Sequence, residues 1–290
     1  MLLLAVVIRS GAAEAANEDA ARERLTWPVG RHSVLTLSPD VPVVYPRYIA
    51  DPRRPQNSVG LMNTPGSDIP EAGDSRVSLN LGGRVPLARI EEVDGAQRWQ
   101  LYLEGGYFGQ FDKTESLDEI GWDGWYAGHL AFDPGSPLRF KIALRHLSAH
   151  LGDEIVQRTG RLRADYTRHD FTAAVAWARP RWMVYAEGGT TVVEDFPEQE
   201  PGVAQIGAQV SGGTPWWRGA VGWYAAIDAQ SFQENDWDPG VAAEVGLNVP
   251  IPKSEHVYRI GLQGYRGRAI LGEYNRINES YVAFVIGFDL

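Results

Sequence analysis

The chain has 290 residues, 44% hydrophobic and 22% charged, which is enough apolar material for a folded core and too much for a disordered polymer. A net charge of −10 would repel a phosphate backbone, so nucleic acid is excluded as a main partner. The absence of cysteine excludes disulfides and thiolate metal sites, and there is no apolar run of about eighteen residues to cross a membrane as a helix.

Residues 1–16 combine a short apolar run, Arg9 and the small-residue stretch Ala13-Glu14-Ala15, the pattern of a marginal export signal or of an ordinary disordered end. Residues 17–54 are mixed: a polar stretch, then Val34-Leu35-Thr36-Leu37, then a run broken at Pro42 and Pro46, read as a periplasmic lead-in or plug. From residue 55 to 290 the pattern is uniform, with apolar residues at every second position between turn residues. A first strand is placed at Gln56 to Met62. Val77, Leu79, Leu81, Val85 and Leu87 share the next face, followed by Trp99, Leu101, Leu103, Tyr107 and Phe111, then Ile120, Trp122, Tyr126, Leu130 and Phe132. Similar strands recur to the end of the chain, where Val282, Phe284, Ile286, Phe288 and Leu290 lie on one face.

Alternation is shared by soluble sheets and membrane barrels, so strand length and loop length must separate them. Many of these strands exceed ten residues, against about five or six in soluble proteins and about nine to eleven in membrane-spanning strands. The connections alternate too. They are short at Val93 to Gln97, Asp133 to Pro137, Arg179 to Arg181, Gly212 to Pro215 and Pro250 to Glu255, and longer in between. Trp99, Trp177, Trp182, Trp216 and Trp217 sit beside the short turns, as an interfacial girdle does. The fold expected is therefore all-β: an antiparallel transmembrane β-barrel of about twelve strands in the bacterial outer membrane, with short periplasmic turns and longer extracellular loops. Inward positions such as Arg84, Glu104, Lys141, Arg145, Glu187 and Arg218 carry both signs, which favours a locked lumen over a conducting one, with a narrow solute pore as the alternative.

The candidate chemistry lies in Arg145-His146-Leu147-Ser148-Ala149-His150-Leu151-Gly152-Asp153-Glu154. His146, Ser148 and His150 continue the face of Leu138, Phe140, Ile142 and Leu144, so they point to lipid at the extracellular end of the strand, while Arg145 points to the lumen. A serine needs a base, and the base needs an orienting group. His146 is the candidate base for Ser148. Asp165 is the candidate orienter, placed opposite His146 with Thr167 and His169 on the same face, and Glu154 or Asp153 is the alternative. On the other neighbour Gly124 is expected opposite His146, and Trp122 opposite Ser148. Asp153 and Glu154 could instead bind calcium with loop oxygens. One metal held by His146 and His150 is disfavoured by the ~13 Å that four strand residues span. The competing reading makes these ordinary interfacial residues of a non-enzymatic barrel.

Three resemblances follow. The alternating C-terminal strand with Phe288 near its end resembles the assembly signal of outer-membrane barrels, although Leu290 stands where a phenylalanine is usual; this implies the barrel-assembly machinery as a partner. The His146-x-Ser148 pair on a barrel wall resembles outer-membrane phospholipase A and lipid A deacylase, which implies acyl hydrolysis of outer-membrane phospholipid or lipopolysaccharide. Tyr48 to Gln56, with Asp51 and Arg53 as a structural anchor, and His146 to Glu154 are similar to an uncharacterised family of bacterial surface proteins that carries only a domain-of-unknown-function label. That family implies a barrel and no activity.

Overall fold

The computed structural model describes residues 25–38, 43–193, 199–214, 221–251 and 256–289. The export-signal reading of residues 1–16, the girdle positions Trp216 and Trp217, Arg218 and the terminal Leu290 lie outside them.

Because successive strand side chains alternate sides, a two-residue apolar period makes a sheet with one greasy face, and closing that sheet leaves no unpaired edge. The strands are β1 (Thr26–Val29), β2 (Ser33–Leu37), β3 (Asn57–Asn63), β4 (Ser75–Glu92), β5 (Arg98–Asp112), β6 (Asp118–Asp133), β7 (Leu138–Leu151), β8 (Thr167–Arg179), β9 (Trp182–Val193), β10 (Gly202–Gly213), β11 (Gly222–Phe232), β12 (Gly240–Pro250), β13 (Val257–Arg268) and β14 (Asn278–Asp289). From β3 to β14 each strand pairs antiparallel with the next, and β14 pairs back on β3, which closes a barrel of twelve strands. The hairpin β1–β2 is added outside the closure. It pairs with the far half of β4 at residues 88–92, beyond the reach of the short β3.

The greasy face points outward. Leu101, Leu103, Phe140, Ile142, Leu144, Ile206, Val245, Leu262, Phe284 and Ile286 are all exposed large apolar side chains, and a continuous band of that size is compatible with lipid and not with water. The inward face carries charge in matched pairs: Arg84 with Glu104 at 2.8 Å, Lys141 with Glu187 at 2.9 Å, and Arg145 with Glu187 at 3.1 Å and Asp170 at 3.4 Å.

Residues 43–56 fill the space between these walls. Tyr45, Tyr48 and Ala50 are buried, and both tyrosines cluster with Tyr102, Ala131, Ala174, Ala176, Met183 and Tyr185. Tyr48 stacks on Tyr185 with ring centroids 3.7 Å apart and donates from its hydroxyl to Glu187 Oε2 at 3.0 Å. Asp51 accepts from the Arg53 amide at 2.9 Å and from Gln205 Nε2 at 3.1 Å, while Arg53 Nε donates to the Ile270 carbonyl at 3.0 Å. Asp51 and Arg53 thus tie the inner segment to the wall and to the loop before β14.

The extracellular end is capped by loops. Gly152 leads from β7 into a short helix, α1 (Asp153–Thr159), whose Ile155 is buried with Ile69, Ile120, Leu151, Ala269, Leu271 and Tyr274. A Cβ at Gly152 would fall 1.7 Å from the Glu119 carbonyl oxygen, so only glycine permits this approach to β6. Burial pushes the Tyr166 phenol up, with Glu234 adding to the rise, which keeps it a neutral donor to Glu234 Oε1 at 2.5 Å across the cap.

Candidate functional site

The upper outer wall of β5–β8 carries two linked groups of polar and aromatic side chains. In β7 the lipid-facing apolar run ends at Leu144, 61% exposed, and His146, Ser148 and His150 follow on the same side. His146 lies eight residues above the first residue of β7, or about 27 Å along the strand, which a barrel tilt of about 40° reduces to roughly 20 Å of height. These residues therefore sit towards the upper margin of a hydrocarbon band of about 25 Å.

Within the first group, Ser148 Oγ lies 3.0 Å from His150 Nε2. The His150 ring stacks on Trp122, centroids 4.1 Å apart, and Trp122 stacks on Tyr107 at 5.5 Å. The Tyr107 hydroxyl donates to Glu119 Oε1 at 2.7 Å. A bulge places Glu119 there. Gln110 pairs with Gly121 and Phe111 with Glu119, so Ile120 is the extra residue; its side chain is fully buried and Glu119 turns to the outer side. Ile120 consequently leaves the lipid-facing set that simple alternation predicts.

In the second group, His146 Nδ1 is 3.3 Å from His169 Nδ1 across the β7–β8 ladder, and the His146 ring stacks on Tyr126 with centroids 4.5 Å apart.

The expected registers need correction. His169, not Asp165, is opposite His146, and Thr167 is opposite Ser148. On the other side Tyr126 is opposite His146 and Gly124 opposite Ser148. Asp165 lies in the connection before β8, exposed, with a positive φ of 51°, and its amide donates to Glu273 Oε1 at 3.0 Å. The physical reason is α1: it takes up residues 153–159, so β8 begins only at Thr167 and the pairing shifts by four residues. That shift is even, and the lipid-facing side of β8 is preserved.

Asp153 and Glu154 open α1 as exposed first-turn residues, favourable at the positive end of a helix, and Asp153 Oδ1 is taken by Arg163 Nη2 at 2.5 Å. Neither reaches His150. Among the described residues no three His, Asp or Glu side chains converge as a metal cluster. Strand periodicity alone gives His150, Trp122 and Glu119 no part in the chemistry. Parity placed His150 and Trp122 outward, but contact between them depends on side-chain torsions, and Glu119 depends on a bulge.

The lumen holds a cavity of about 90 Å³ between residues 48–55 and the wall, lined by charges of both signs including Asp51, Arg84, Lys141, Arg168 and Asp228.

The model of a family described as "Protein of unknown function (DUF1207)" matches residues 26–288. No curated protein matches the chain. Among solved structures, outer membrane phospholipase A from Escherichia coli is similar with a TM-score of 0.53 at 16% identity, covering 81% of this chain and 92% of that one. Outer membrane phospholipase from Salmonella typhi, solved as a dimer with bound calcium, is similar with a TM-score of 0.55 at 15% identity, covering 81% and 90%. At such identity the likeness is one of fold. The protein is a bacterial outer-membrane β-barrel.

Proposed function

The chain belongs to the DUF1207 family of proteins of unknown function, and on that premise we propose that it is an acyl hydrolase of outer-leaflet lipids in which Ser148 is the nucleophile and His150 the general base. The observation that carries this reading is the 3.0 Å contact between Ser148 Oγ and His150 Nε2 on the lipid-facing wall. That separation is within the range of a nucleophile–base hydrogen bond, and an acyl ester entering from the outer leaflet reaches it without crossing the barrel.

Ser148 Oγ attacks the ester carbonyl carbon while its proton passes to His150 Nε2. The tetrahedral adduct collapses, the ester C–O bond breaks, and His150 returns the proton to the departing alkoxide. Water then attacks the acyl-serine with His150 again as base, which releases a fatty acid and restores the hydroxyl. The stack of His150 on Trp122 stands where a triad has its acid: it fixes the ring plane without adding charge. Asp165 and Glu154 have no part in this reading. The substrate class is phospholipid or the acylated anchor of lipopolysaccharide. The phospholipase named among the similar structures supports this by analogy of fold.

The second reading is a non-enzymatic barrel. Its specific support is that, among the described residues, no carboxylate is hydrogen-bonded to His150. A solute pore is disfavoured, because residues 43–56 occupy the lumen.

Purified protein in detergent, mixed with phospholipid or with lipopolysaccharide in the presence and absence of calcium, is expected to release fatty acid. Ser148→Ala is expected to abolish the release. No release from either lipid under any of these conditions rejects the hydrolase.

A further inference from the structure

We propose that His146 and His169 form a binding site for a transition-metal dication of the Zn²⁺, Cu²⁺ or Ni²⁺ class on the outer wall of the barrel. The inference is independent of the hydrolase reading, since that reading gives neither histidine a part in the chemistry.

Geometry comes first. The two residues are direct cross-strand partners, and their Nδ1 atoms face each other at 3.3 Å. Two imidazole nitrogens bound to one tetrahedral zinc at about 2.0–2.1 Å stand about 3.3 Å apart. The two nitrogens thus already have the separation of one edge of a coordination tetrahedron, and the metal takes the place of the proton between them. Tyr126 stacks on the His146 ring from the other neighbouring strand and holds its plane, so part of the ordering cost of binding is met in the free protein.

The electrostatics agree. The basic residues flanking this pair in sequence, Arg145 and Arg168, point into the lumen, where Arg145 meets Glu187 and Asp170 and Arg168 meets Asp170 and Glu234. The outer neighbours are uncharged: Leu144 and Phe171 below, Ser148 and Thr167 above, with Val193 opposite His169 on β9. Among these described neighbours a dication approaching from the outer side meets no fixed positive charge.

Ligand chemistry sets the class of ion. Imidazole nitrogens select borderline dications, whereas calcium and magnesium need oxygen donors that this pair lacks. With two protein ligands the remaining positions are taken by water, which sets an affinity well below that of a four-ligand structural site. This site is distinct from a His146–His150 chelate, which strand spacing disfavours.

The test uses the full chain, purified in detergent, stripped with a chelator and titrated with Zn²⁺ alone in competition with a metal-sensitive dye, alongside Cu²⁺ electron paramagnetic resonance to count nitrogen ligands. One equivalent is expected to bind, with two nitrogen donors in the Cu²⁺ spectrum. His146→Ala and His169→Ala should each weaken binding at least about tenfold, while His150→Ala should leave it unchanged and calcium should not compete. Heat-modifiable mobility on gels confirms that each variant is a folded barrel. Absence of binding at millimolar Zn²⁺, a single nitrogen donor, or an affinity indifferent to either substitution overturns the site.

Discussion

Ser148 has a histidine two positions before it and another two positions after it, all on one side of β7, and strand periodicity cannot tell these partners apart. Side-chain geometry does: the hydroxyl meets His150, while His146 turns to His169. What was legible in the sequence is the side on which all three point, because an apolar run at every second residue leads directly into them. What was not legible is the choice of partner, which rests on torsions and on the flat faces of Trp122 and Tyr126 that each imidazole packs against. The arrangement makes a kinetic prediction. His150→Ala should lower the rate of fatty-acid release by about 10²–10⁴-fold, the usual worth of a general base, and His146→Ala should keep most of it. Equal losses in the two variants, measured as kcat with both proteins folded, would show that His150 is not the base.

Elements account for the next layer of successes and misses. Strand existence, length and most of the facing followed from the two-residue period and the turn residues, since a slip of two or four registers leaves every side chain on its face. Leu87, expected on the outward face of β4, is instead the bulged residue after which Ala88 and Ile90 pair with outward Leu101 and Trp99. The position of β8 did not follow, because Asp153 to Thr159 form a helix that hydrophobic alternation has no means of announcing. Nor did the bulge in β6, which buries Ile120 and sends Glu119 outward to Tyr107. Asp51 and Arg53 were expected to anchor the chain at its entry; Asp51 accepts from Gln205 on the wall and Arg53 donates to the Ile270 carbonyl, while Tyr48 adds a hydrogen bond to Glu187. Its consequence is electrical. With residues 43–56 packed against the inner wall, single-channel recording in planar bilayers should give no steady conductance, and deletion of residues 43–54 should introduce discrete open steps. Steady steps from the intact chain would contradict a filled lumen.

At the scale of the molecule the two faces of the barrel divide the work. Inside, ion pairs such as Arg84 with Glu104 and Lys141 with Glu187 are desolvated together with the segment they enclose, an arrangement in which removing one partner typically costs about 3–5 kcal/mol. Outside, the apolar band fixes the height of the wall in the membrane, and the β7 polar run begins where that band ends. On the proposed reading the serine is presented to the outer leaflet, at the level where acyl esters join their headgroups. The most direct test of this account is covalent labelling. Protein in detergent treated with a long-chain alkyl fluorophosphonate and digested for mass spectrometry should carry a single adduct on Ser148, and the adduct should disappear in His150→Ala. Failure to label, or labelling of Ser148 that is indifferent to the loss of His150, would contradict a serine activated by that histidine.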